Sequence, residues 1–122
     1  MKILVIDDDK DITEVCKMFF EKNSMDCRTE NDGKKGLERI QNEEYDIILL
    51  DLAIPNFSGK DIIDSLENNG LINRKKIIII TASAISDKEH KYYVEKGVKA
   101  FIKKPFDISK LKETILNVAN MP

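Results

Sequence analysis

A chain of 122 residues suits one domain of ordinary size and leaves little room for a second. Hydrophobic residues make up 42% and charged residues 34%, enough to fill a core and solvate a surface, which excludes intrinsic disorder. With a net charge of only −2 and apolar runs no longer than Ile47–Leu50 or Ile77–Ile80, the composition argues against nucleic-acid binding by this chain and against a membrane-spanning helix.

The opening MKILVIDDD carries one lysine and four apolar residues before acids intervene, so it is not a signal peptide. Residues 3–6 (ILVI) predict a first strand. Ile12, Val15, Cys16, Phe19 and Phe20 follow the spacing i, i+3, i+4, i+7, i+8 and predict a helix with that stripe facing a core. Residues 25–29 (MDCRT) are more polar and fit an edge strand, and Gly36, Leu37 and Ile40 mark a shorter helix. A third strand is expected over 47–50 (IILL), then a helix through Ile62, Ile63 and Leu66 capped by Ser58. Residues 77–80 (IIII) give the fourth strand. Ser86 caps a helix whose first turn holds Asp87 and Glu89, favourable for its dipole. Residues 98–102 (VKAFI) give a fifth strand. The last helix, opened by Asp107, carries Ile108, Leu111, Ile115, Leu116 and Val118. Continuous apolar strands alternating with helices predict an α/β domain with a parallel sheet covered on both faces.

The two cysteines, Cys16 and Cys27, have neither CxxC spacing nor a nearby His cluster, and read as buried free thiols in a reducing cytoplasm. Charge is uneven: residues 1–84 hold 12 Lys/Arg against 17 Asp/Glu, and residues 85–122 hold 8 against 5. The basic C-terminal segment suits an acidic protein partner and is too weak for nucleic acid.

Four predicted strands end on reactive side chains. The first runs into Asp7, Asp8 and Asp9, the third into Asp51, the fourth into Thr81, and the fifth into Lys103 and Lys104. Open parallel sheets bind ligands beyond the carboxyl ends of their strands, so these groups converge on one edge. Clustered carboxylates need a cation, and oxygen-only ligands select a hard one such as Mg²⁺. A carboxylate beside such an ion can take a phosphoryl group, with a hydroxyl and an ammonium left to hold the phosphoryl oxygens. Taken singly, Asp7–Asp9 read as a helix cap, Asp51 as a turn former and Thr81 as a strand end. The conjunction at strand ends favours the chemistry.

At these residues the sequence resembles the CheY-like receiver domains of two-component response regulators, over essentially its full length. The resemblance is carried by ILVIDDD (3–9), ILLDLAIPNFSG (48–59), ITASA (80–84) and GVKAFIKKPF (97–106). It implies a flavodoxin-like, five-stranded parallel sheet of order 2-1-3-4-5 with five helices. It also implies Asp51 as the phosphorylated residue, with a histidine kinase or phosphotransfer protein as donor. Asp8, Asp51 and the Ala53 carbonyl would bind Mg²⁺ (or Mn²⁺) directly, and Asp7 through water. Thr81 and Lys104 would hold phosphoryl oxygens; Lys104 is chosen over Lys103 because it directly precedes Pro105, whose peptide bond is expected to be cis. Phe101 falls at the aromatic switch position and, lacking a hydroxyl, signals by packing. Small Ala82 leaves room for the phosphoryl group, while Ala53 and Ser83 lie where the family tunes water access. The resemblance describes a phosphoacceptor that assists its own phosphotransfer and dephosphorylation, not an enzyme.

Its output would be a changed face formed by the fourth helix, fifth strand and fifth helix, carrying His90, Tyr92 or Tyr93 and lysines. That face would dock a second copy, a downstream protein or an attached output domain. The chain is expected to be either a stand-alone protein or a receiver from something longer. Rivals fit poorly. A haloacid-dehalogenase phosphatase needs Thr or Val where Asp11 stands, a Ca²⁺ loop needs Gly and Glu where Ile12 and Met18 stand, and a flavodoxin needs a phosphate-cradling loop where the acids stand. A degenerate receiver, acting as a phosphorylation-independent binding module, would have lost one of the acids, the hydroxyl or the lysine, and all are present.

Overall fold

The computed structural model describes Met1 to Pro122. Five strands, β1 (Lys2–Ile6), β2 (Asp26–Glu30), β3 (Ile47–Asp51), β4 (Ile77–Thr81) and β5 (Ala100–Lys103), alternate with five helices. These are α1 (Lys10–Lys22), α2 (Gly33–Asn42), α3 (Gly59–Asn68), α4 (Asp87–Lys96) and α5 (Ile108–Ala119), with a single 3₁₀ turn at Ile72–Arg74. All pairings are parallel and the sheet order is β2-β1-β3-β4-β5, as expected. No helix is long and apolar enough to cross a membrane.

The period of two along a strand sends alternate side chains to opposite faces, and both faces are covered. Leu4, Ile6, Ile48, Leu50, Ile77 and Ile79 pack on one side with Ile62, Ile63, Leu66 and Tyr93. Ile3, Val5, Ile47, Leu49 and Ile78 pack on the other with Cys16, Phe20, Leu111, Ile115 and Val118. Two-sided burial is why β1, β3 and β4 are unbroken apolar runs. At the edge strand β2, Cys27 is buried while Asp26 and Arg28 are exposed. Both thiols are fully buried, and burial pushes the Cys16 thiol up to about 11 and the Cys27 thiol up to about 12.

Four helix starts follow caps read from sequence. Ser58 and Ser86 each form a reciprocal capping box, with Asp61 and Glu89 respectively, and the Asp9 and Asp107 carboxylates cap α1 and α5. The other helix, α2, is capped by Asp32, which the sequence reading did not single out. Two stripe residues depart from expectation: Val15 is 57% and Leu116 38% exposed, so the buried seams of α1 and α5 are narrower than the apolar spacing suggested. The fifth strand starts two residues later than expected. Gly97 ends α4 at φ +116°, and the Val98 N–H still bonds the Tyr93 carbonyl, so Val98 belongs to the helix exit.

Two close approaches fix the loop after β3. A Cβ on Gly59 would lie 2.4 Å from the Asp51 carbonyl oxygen, and one on Gly33 would lie 1.9 Å from that of Phe57. At the opposite end of the sheet, Lys76 Nζ donates to the carbonyls of Ala119 (2.9 Å) and Met121 (2.8 Å), stapling the C-terminal end of α5 to the start of β4.

Candidate functional site

The chain enters the sheet with β1, beside the central strand, steps outward to the edge strand β2, then crosses back over β1 to the centre with β3. That reversal opens a crevice beyond the carboxyl ends of β1 and β3, the usual ligand position in such sheets. Asp7 and Asp8 follow β1 and Asp51 ends β3. Each of these residues places a carboxylate oxygen within 4.8 Å of the others. Asp7 is fully buried and Asp51 nearly so, whereas Asp8 is exposed.

One ammonium reaches this cluster. Lys104 Nζ lies 2.6 Å from Asp7 Oδ2 and 3.7 Å from Asp51 Oδ1. The other Asp7 oxygen, Oδ1, accepts from the Asp9 N–H at 2.9 Å. Lys104 follows β5 and precedes Pro105 through a cis peptide bond, while the neighbouring Lys103 is exposed and takes no part. Of the two lysines, the fold brings Lys104 to the acids and leaves Lys103 away from them.

Electrostatics follow from this packing. Burial, then the Asp7 charge, holds the Asp51 carboxyl above its ordinary value, and Lys104 and the Ala53 backbone N–H pull the other way without prevailing. For Lys104, burial opposes the charged form, but the hydrogen bond to Asp7 and the Asp51 charge outweigh it and raise the ammonium's pKa. Three carboxylates face one ammonium, so the site holds surplus negative charge. Its donors are all oxygen, which fits a hard divalent cation.

Thr81 ends β4, next to β3, where Asp51 pairs with Ile80; it is buried, and its hydroxyl accepts from the Ser83 N–H at 3.2 Å. Ala53 lies exposed in the loop that leaves Asp51. Phe101 stands apart from the acids. It is half-buried on β5, its ring 4.4 Å from His90 and 6.5 Å from Tyr93 of α4. The tyrosines differ from expectation: Tyr93 is buried, and Tyr92 turns toward α3, donating to Asp64 Oδ1 at 2.6 Å, so neither ring lies open on the α4–β5–α5 face. The distinction was invisible in sequence because adjacent helical residues point in directions that only tertiary packing resolves.

One residue at the site escaped the sequence reading. Asn31, just past β2, donates through Nδ2 to the Asp7 carbonyl at 2.8 Å. Its only sequence signal is its place at the carboxyl end of a predicted edge strand, 24 residues from its partner.

Residues 3–116 match the family model for the response regulator receiver domain. The response regulator ArlR of Staphylococcus saprophyticus is 38% identical over 111 residues, covering 90% of this chain and 48% of that protein. SaeR of Staphylococcus epidermidis is 31% identical over 121 residues, covering 98% and 49%. The chain thus spans about half the length of the curated relatives it matches. Among solved structures, the receiver domain of a Francisella response regulator superposes with a TM-score of 0.86 at 30% identity, covering 97% of this chain and 95% of that one. With a family model covering nearly all of the sequence and a crevice of the matching architecture, the chain belongs to the receiver domains of two-component response regulators, signalling phosphoacceptors that switch by phosphorylation.

Proposed function

We propose that Asp51 accepts the phosphoryl group, in a site completed by a divalent cation, and that the change is read on the α4–β5–α5 face. The observation that carries this is the carboxylate cluster of Asp7, Asp8 and Asp51 against a single ammonium at the β1–β3 crevice. An Asp51 carboxylate oxygen attacks phosphorus and forms an acyl phosphate. With a phosphohistidine of a kinase or phosphotransfer protein as donor, the P–N bond breaks and the imidazole leaves with its electron pair. Asp8, Asp51 and the Ala53 carbonyl would hold the ion directly and Asp7 would act through water, with Mg²⁺ or Mn²⁺ as the metal. When bound, the ion supplies positive charge to the phosphoryl oxygens. Lys104 shares that task, leaving its resting partner Asp7 to meet a phosphoryl oxygen, and the Thr81 hydroxyl takes another. On the output face the partner is a second copy, a downstream protein or an output domain of the same polypeptide.

The experiment is labelling with acetyl phosphate and Mg²⁺, read by intact mass. Wild-type protein should gain one phosphoryl group that is lost at alkaline pH, and Asp51→Asn should gain none. Equal labelling of that variant would assign the acceptor elsewhere.

A further inference from the structure

Asp8 is the one member of the acidic cluster whose carboxylate forms no hydrogen bond or ion pair within the protein, and it is also the exposed one. Its direction is therefore set by its backbone, through the two peptide planes that flank it. The Asp8–Asp9 plane is held at its N–H, which donates to Asp7 Oδ1 at 2.9 Å. The Asp7–Asp8 plane is held at its carbonyl by Asn31 Nδ2 at 2.8 Å. The same Asn31 amide donates to Thr13 Oγ1 at 3.1 Å, and the Thr13 hydroxyl donates to the Lys10 carbonyl at 3.1 Å in the first turn of α1. Asn31 therefore grips the acidic loop at both ends.

The chain needs a side chain here for a structural reason. The β1–β2 ladder runs as far as the Asp7 N–H, which donates to the Glu30 carbonyl at 3.1 Å. A parallel ladder would next bring the Asp32 N–H to the Asp7 carbonyl. Asp32 instead turns away to cap α2, accepting from the Lys35 N–H at 3.0 Å, and no backbone amide reaches the Asp7 carbonyl. Asp7 is fully buried, so that carbonyl requires a donor from the protein, and the Asn31 amide replaces the missing ladder bond.

We propose that Asn31 is a positioning residue for the cation site, fixing the Asp7–Asp8 peptide plane and so aiming the Asp8 carboxylate at the ion. This rests on the cation reading of the acidic cluster given above. Groups that orient ligands from behind commonly change metal affinity by tenfold or more when removed. The test is Mn²⁺ titration, with free ion counted by electron paramagnetic resonance, on wild type, Asn31→Ala and Thr13→Val, each checked for folding by circular dichroism. Thr13→Val keeps the Asn31–Asp7 contact while removing the second acceptor of Asn31 and the Thr13 bond to the Lys10 carbonyl. Asn31→Ala should bind Mn²⁺ roughly tenfold more weakly, while Thr13→Val should match wild type. Labelling of Asn31→Ala by acetyl phosphate should return to the wild-type rate at saturating Mg²⁺, because only the metal requirement has shifted. Should the alanine variant fail to fold, Asn31→Ser, whose hydroxyl falls back from the Asp7 carbonyl, carries the same expectation. Unchanged Mn²⁺ affinity in a folded Asn31 variant, or an equal loss in Thr13→Val, would overturn the proposal while leaving the cation reading intact. Wild-type protein that binds no Mn²⁺ would overturn both.

Discussion

Asp51 sits in the resting site at a net electrostatic disadvantage, since burial and Asp7 together outweigh Lys104 and raise its pKa. A carboxyl whose folded pKa lies above its unfolded value of about 3.8 leaves the native state holding more protons than the unfolded chain between those two pH values. Stability from this group therefore falls as pH rises through that window, and the full penalty applies above it. Replacing the carboxylate with a neutral isostere removes the penalty. Metal-free Asp51→Asn should melt a few degrees above wild type at neutral pH, and the difference should vanish as pH is lowered to about 3.8. Added Mg²⁺ should stabilise wild type more than the variant, because only wild type presents the full ligand set. Calorimetry across pH, with and without metal, checks both statements; a lower melting temperature for the metal-free variant at neutral pH would show that the Lys104 attraction dominates.

Among the elements, α4 is attached in an unusual way. Only Tyr93 of this helix is buried, and Val94 is 48% exposed, so little apolar area holds it to the sheet. A polar clasp to α3 compensates. Tyr92 Oη and Lys60 Nζ both donate to Asp64, and Lys96 pairs with Glu67. The ammonium groups of Lys60 and Lys96 lie 5.3 and 4.9 Å from the Tyr92 ring centre. Tyr92→Phe keeps the ring and loses the hydrogen bond, which should cost about 1 kcal/mol. The effect should concentrate in α4, with faster amide exchange there and little change in the β1 and β3 amides. Uniform acceleration across the sheet would mean that the clasp supports the whole domain. This clasp was not legible in sequence: Tyr92 and Asp64 are 28 residues apart, and nothing in a polar helix announces which face carries its partner. The elements with two-sided burial were legible, because ILVI, IILL and IIII leave no polar side to mistake. The acids, Thr81 and Lys104 were legible because each follows or ends such a strand. Val15 and Leu116 were misplaced because apolar spacing reports a helix's stripe and not the width of the seam it fills.

For the whole molecule, the acidic crevice and the α4–β5–α5 face are linked through β4 and β5. The Lys104 N–H donates to the Thr81 carbonyl at 2.8 Å, and Phe101, paired with Ile79 two positions before Thr81, touches α4 through His90 and Tyr93. Movement of Thr81 and Lys104 toward a phosphoryl group at Asp51 would disturb the packing of that ring. Phe101→Ala should leave Asp51 labelling near the wild-type level while abolishing the chemical-shift changes in α4 that a phosphoryl mimic induces. Because the ring is only half-buried, the loss of stability should be nearer 2 kcal/mol than the ~3–5 kcal/mol of a fully buried phenylalanine. Persisting shifts in α4 would route the coupling elsewhere.

The Lys76 staple gives the last turn of α5 a distinct behaviour in time. Helix ends ordinarily fray on fast timescales, and their amides exchange with solvent almost as freely as those of an unfolded chain. Here the carbonyls of Ala119 and Met121 are tied by charge-assisted bonds to the residue that precedes β4. The end of α5 should therefore open with the start of the interior strand β4 and not by itself, so that the amides of Asn120 and Met121 exchange slowly for residues so near a helix terminus. Lys76→Met should free that turn and speed their exchange on the order of tenfold, while amides around Asp51, at the far end of the strands, keep their protection.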